Sequence, residues 1–99
     1  MGKRESAFQA GLIRKLKERY EGCVVLKNDP THRQGIPDLT VLYRDKWATL
    51  ECKKSGNESH QPNQDWWVDT MNEMSFSAFI FPENENEVLE RLEDHFGQG

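Results

Sequence analysis

Gly35-Ile36-Pro37-Asp38-Leu39-Thr40-Val41-Leu42-Tyr43 and, past a short polar break at Arg44-Asp45-Lys46, Trp47-Ala48-Thr49-Leu50-Glu51-Cys52-Lys53 is the stretch whose reading decides the fold. Both flanks have strand composition and the break has hairpin length, so residues 38–43 and 47–53 are expected to pair antiparallel. Asp38 opens the first strand and Glu51, thirteen positions later, lies near the end of the second. The hairpin therefore sets the two acids opposite each other. Side chains alternate along a strand, which puts Glu51 and Lys53 on one face and Leu50 and Cys52 on the other, apolar one.

Two carboxylates held close repel each other unless a proton or a cation lies between them. A hard divalent ion such as Mg²⁺ prefers oxygen ligands and keeps several waters, so such a pair suits a metal placed on a phosphate. Lys53 adds what neither acid supplies, a cation that orients or helps deprotonate the attacking water and offsets charge on the phosphate. The chemistry implied is phosphodiester hydrolysis.

Pro37-Asp38 followed by Glu51-Cys52-Lys53 resembles the signature of the PD-(D/E)xK nucleases. Glu5 near the start of the first helix, Arg33-x-Gly35-Ile36-Pro37-Asp38-Leu39 and Gln64 resemble the VRR-NUC branch, which includes small phage proteins similar to Holliday-junction resolvases. The resemblance runs from about Glu5 to Phe81. It implies an α/β, restriction-endonuclease-like core. It also implies a metal-dependent DNA endonuclease in which Asp38, Glu51 and the Cys52 carbonyl hold Mg²⁺ or Mn²⁺. Lys53 would handle the nucleophile, with Glu5 and Gln64 supporting. Glu5 is either a favourable charge on a helix N-terminus or a carboxylate holding a water at the metal or a second ion.

Outward from the hairpin, Phe8, Leu12, Ile13, Leu16 and Tyr20 recur at helical spacing, predicting an amphipathic helix over residues 4–20. Ser6-x-x-Gln9 resembles a capping box, although a start a few residues earlier fits equally. Glu5 and Gln9 fall on or beside the buried stripe. Arg14, Lys15, Lys17 and Arg19 lie opposite, either solvated or against phosphate backbone. Glu21-Gly22 ends the helix, and Cys23-Val24-Val25-Leu26-Lys27 reads as a strand. In the following loop Arg33 is placed to grip a phosphate through its planar fork, while His32 reads as a plain loop residue ahead of a general base.

Residues 62–74 read as a second helix with Gln64, Trp67, Val68 and Met71 on its inward stripe. Gln64 there bonds either backbone or a site group beside Lys53. Trp66 and Trp47 are left to packing, a dimer interface or base stacking. Residues 75–81 form a last strand and residues 83–96 an acidic helix, capped by Asn84 or Asn86. The order is α-β-β-β-α-β-α, a mixed sheet of about four strands flanked by helices, with the final strand parallel to the Glu51 strand.

Ninety-nine residues, 35% hydrophobic and 30% charged, make one domain over 1–99 with a small core, so oligomerisation is expected. The net charge of −4 is unevenly shared: residues 1–54 carry 12 Lys/Arg against 7 Asp/Glu, and residues 55–99 carry 1 against 10. The half holding the motif is basic, as a local nucleic-acid footprint requires, and Lys3, Arg4, Arg14, Arg33 and Lys54 are its candidate DNA contacts. Cys23 and Cys52 read as small, buried, reduced residues, and the scattered histidines exclude a zinc cluster. No apolar run approaches the roughly 20 residues of a membrane span, and the expectation is a cytoplasmic protein without a membrane partner.

A chain this small has no room for a separate sequence-reading domain, so recognition of branched DNA by shape is favoured, with a homodimer making paired nicks. A flap, mismatch or nonspecific nuclease, and a non-catalytic DNA-binding module retaining the fold, are the alternatives.

Overall fold

A computed structural model of the chain describes residues 3–97, with side chains from Ser6 onward. The elements are α1 (Lys3–Arg19), β1 (Val24–Lys27), β2 (Leu39–Tyr43), β3 (Lys46–Cys52), α2 (Gln64–Met74), β4 (Ser77–Ile80) and α3 (Glu85–Phe96). The chain is α/β with one mixed four-stranded sheet in the order β1-β2-β3-β4. The first three strands are antiparallel, and the crossover through α2 returns β4 parallel to β3.

The hairpin turns on only two residues, Arg44-Asp45, since Tyr43 already pairs with Lys46. Arg44 takes a positive φ of 58°, and its guanidinium lies 4.9 Å from the Tyr43 ring centre. That tight turn fixes the register Leu39↔Leu50, and with it every side chain's face.

Alternation along the strands splits the molecule into two layers. Leu39, Val41, Leu50, Cys52, Ala78 and Ile80 form one core with Leu12, Leu16 and Tyr20 of α1 and Val88, Leu89, Leu92 and Phe96 of α3. Burying a leucine of this kind is worth about 1.5–3 kcal/mol, so this side carries the stability. The acidic α3 meets the basic face of α1: Lys15 lies 3.0 Å from Glu85 and Arg19 3.9 Å from Glu93. That part of the basic face is turned to a neighbouring helix. Both pairs are partly exposed and worth little.

The opposite face is covered by α2 over β3 and β4. There Thr49 donates its hydroxyl to Ser77 Oγ (2.7 Å). Over β1 and β2 the same face is bare: Val24, Leu26 and Leu42 remain 48%, 46% and 40% exposed. The β4 edge is closed by side chains instead, with Ser77 N–H donating to Asn72 and Asn84 donating to the Phe79 carbonyl.

Several boundaries differ from the sequence reading. Of the two starts expected for α1 the earlier one holds: Ser6 lies three residues past its described start, so Ser6-x-x-Gln9 is no capping box. Pro62 precedes the N-cap of α2, because Asn63 adopts a left-handed conformation (φ 73°) that delays the helix to Gln64. Asn84 is the N-cap of α3 by position, but its side chain makes no capping bond. It accepts from Phe81 N–H and ties down the end of β4. Cys52 is fully buried, whereas Cys23 is only half-buried; both are free thiols, and burial raises the pKa of Cys23.

Tyr20 packs in an aromatic trio with Tyr43 and Phe96, ring centres 5.1 Å from each. Its buried hydroxyl has no hydrogen-bond partner among the described residues. A buried unsatisfied hydroxyl costs about 1–3 kcal/mol. Tyr20→Phe is therefore expected to raise stability by about 1 kcal/mol in urea unfolding, and a loss of stability would show that the hydroxyl is satisfied in solution.

Candidate nuclease site

The register Leu39↔Leu50 makes Asp38 and Glu51 the next facing pair, at the open end of the sheet. There Cys52 N–H donates to the Asp38 carboxylate, Oδ2 accepting at 2.9 Å. Lys53 N–H donates to the Ile80 carbonyl on β4 at 2.9 Å. By alternation the Cys52 carbonyl then turns toward β2 and Asp38. Asp38, Glu51 and this carbonyl thus lie at the same end of the hairpin, oxygen donors of the kind a hard cation takes.

Lys53 and Glu51 are only 3% and 4% exposed. Charges this buried need partners, and α2 supplies one. Gln64, at the first turn of α2, accepts from Lys53 Nζ at 2.7 Å through Oε1 and donates to Glu51 Oε2 at 2.8 Å through Nε2. Its Oε1 also accepts from Gln61 N–H (2.8 Å), so both bonding patterns expected for Gln64, to backbone and to the site, are present. Lys53 Nζ donates further to the Ser59 carbonyl (3.1 Å) and stands 4.0 Å from Glu51. The ammonium is held by oxygens from a strand, a loop and a helix, which leaves it one position.

Burial pushes the Asp38 carboxyl above the ordinary aspartate value; the Cys52 N–H bond and the Lys53 charge oppose this, and Glu58 adds to the rise. A raised folded-state pKa means that the folded chain retains the proton over a pH range above about 3.9. Stability of the metal-free protein therefore falls as pH rises through that range, and ionised Asp38 is a cost at neutral pH. Asp38→Asn keeps an oxygen for Cys52 N–H and removes the charge. In thermal melts at pH 7 without metal it is expected to unfold at a higher temperature than the parent chain, with the gap closing at acid pH. A lower melting point at pH 7 would refute this.

The N-terminal turns of α1 close the site's far side. Ser6, Gln9, Lys27, Asn28, Pro30 and Asp38 line a cleft of about 250 Å³. Gln9 is buried on the expected stripe. The side chains of Glu5, Lys3 and Arg4 lie outside the described residues. Among the described residues no group of three or more His, Cys, Asp and Glu is gathered for a metal.

The candidate DNA contacts are dispersed. Arg33 is exposed on the loop beside α2, and Lys54 is exposed past β3 with its N–H donating to Glu58 (2.6 Å). Arg14 is exposed on α1 more than one turn beyond Gln9. One pair escaped the sequence reading: His60 Nδ1 lies 2.7 Å from Asp65 Oδ1, and the ring stacks 4.1 Å from Phe79, the residue paired with Glu51. The signal was the five-residue spacing from loop to helix start, too common to single out. His32 is an exposed loop residue whose N–H donates to the Asp29 carbonyl.

Set against family models, curated proteins and solved structures, the chain matches none of them.

Proposed function

We propose that the protein is a metal-dependent DNA endonuclease. The observation that carries the reading is Asp38 facing Glu51 across the hairpin, with Lys53 fixed beside them by Gln64. Asp38, Glu51 and the Cys52 carbonyl hold Mg²⁺ or Mn²⁺, with Glu5 as the supporting acid. When bound, the ion supplies Lewis-acid charge at the scissile phosphate.

The chain's own groups do the positioning. Lys53 Nζ donates two of its three N–H groups to Gln64 and Ser59, and the third orients the attacking water and offsets phosphate charge. Water oxygen loses a proton as it bonds to phosphorus, the bond to the leaving sugar oxygen breaks, and that oxygen takes up a proton, so the two transfers balance. Gln64 acts through Lys53 and Glu51, as a positioning residue. Arg33 and Lys54 contact the backbone on either side.

The substrate is branched duplex DNA, cut by paired nicks from a homodimer in the cytoplasm. Val24, Leu26 and Leu42, exposed on the bare face of β1 and β2, form the surface on which a second copy packs. The test is incubation with Mg²⁺ or Mn²⁺ on a four-way junction, a flap and a linear duplex. Paired symmetric cuts in the junction support the resolvase form, and cuts in all three indicate a general nuclease. Binding without any cutting in either metal removes the enzymatic reading and leaves a DNA-binding module.

A further inference from the structure

Beside the site lies an open groove of about 620 Å³ lined by His32, Arg33, Gln34, Asn63, Trp66 and Trp67. Its two walls are the segments that deliver the site residues. Arg33 and Gln34 lead into Gly35 to Asp38, and Asn63 precedes Gln64. The walls are locked together: Trp67 Nε1 donates to the Gln34 carbonyl at 3.1 Å, and Gly35 lies so close to Pro62 and Asn63 that a methyl group there would approach the Pro62 carbonyl to 2.7 Å.

Trp67 is fixed by that bond. Trp66 stands edge-on to it, ring centres 5.0 Å apart at 83°, and is 59% exposed. An indole this exposed leaves apolar area in water that a ligand could cover. The polar part of the lining contains a guanidinium and no carboxylate, which matches a flat apolar ligand carrying an anion.

We infer that this groove binds an unpaired nucleotide of the DNA substrate, its base stacked on Trp66 and its phosphate on Arg33, next to the phosphate that is cut. The inference rests on the nuclease reading of the adjoining site and names what that site selects. Within a perfect duplex both faces of each base are covered by neighbours, so the indole gains contact only with a base that is looped out, splayed at a junction or displaced in a flap. Junction preference then has a local cause, one base held in the groove, and needs no sequence-reading domain.

The test uses fluorescently labelled duplexes in EDTA, one perfectly paired and one with a single looped-out thymidine, read by anisotropy. The full chain is expected to bind the looped-out DNA more tightly than the paired one. Trp66→Ala is expected to weaken binding to the looped-out DNA by about tenfold and to leave the paired duplex unchanged, with Trp66→Phe restoring most of the difference. Arg33→Ala weakens the looped-out complex too, and melting curves check that each variant is folded.

Equal loss on both DNAs, or no loss on either, overturns the proposal. So does a Trp66→Ala variant that keeps its DNA selectivity but changes sedimentation, because the groove is then a contact between copies of the chain. Cleavage with Mg²⁺ separates the two readings. Lys53-dependent cutting of both DNAs with equal binding leaves a nuclease without this groove function, whereas selective binding without cutting keeps the groove and removes the nuclease.

Discussion

Lys53→Ala is expected to lower DNA cleavage by at least about a hundredfold, the usual minimum for losing a group that positions or protonates the reacting atoms, while DNA binding stays within a few-fold. The side chain is buried behind Gln64 and Ser59, so it adds little to the long-range field that draws in the backbone. Truncation also leaves the buried Glu51 carboxylate without its ammonium, and breaking a buried pair from one side costs about 3–5 kcal/mol. Loss of cutting alone would therefore not distinguish chemistry from unfolding.

The pair Glu51→Gln with Lys53→Met removes both charges at once and retains an amide for Gln64. That double variant is expected to melt close to the parent chain and still not cut. A double variant as unstable as Lys53→Ala would mean that shape, not charge, dominates the cluster. Full cleavage by Lys53→Ala would remove Lys53 from the mechanism.

Gly35→Ala should be the most damaging change that touches no charged group. Gly35 has φ +85° and its missing Cβ would meet Pro62 O at 2.7 Å and both C and Cβ of Asn63 at 2.9 Å, the first two being backbone atoms that cannot swing aside. The left-handed conformation alone costs an alanine about 1–2 kcal/mol, and the collision is added to it. Gly22 provides the internal control, with φ +88° but nothing within 4 Å.

Gly22→Ala is expected to lose only the conformational cost of about 1–2 kcal/mol and keep full cleavage. Gly35→Ala is expected to lose about 3 kcal/mol or more, lowering Tm by roughly 10–20 °C. It should also lose cleavage disproportionately, because moving the N-terminus of α2 carries Gln64 away from Lys53. Matching melting points for the two variants would show that the close approach between the loop and α2 is not rigid.

Local chemistry made much of the chain legible. The 3.6-residue recurrence of Leu12, Leu16 and Tyr20, the alternation through Trp47, Thr49, Glu51 and Lys53, and the polar break at Arg44-Asp45 each act over a few residues, and the structure follows them. Because the hairpin is local, the facing of Asp38 and Glu51 was legible as well. Helix starts were read less well: Asn63 takes a backbone conformation that its neighbours impose, and Asn84 spends its side chain on β4.

The amino-acid sequence by itself determined the element order, the two-layer pattern and the pair of acids on one sheet end, since periodicity and a short polar connection suffice for these, and only the structure shortened that connection to two residues. Only the tertiary structure decided what holds Lys53, which part of the basic face of α1 meets α3, where the sheet stays bare and how Trp66 comes to line a groove with Arg33. Each of those joins residues from separate elements, and its energy depends on a distance and an angle that no spacing in the chain encodes.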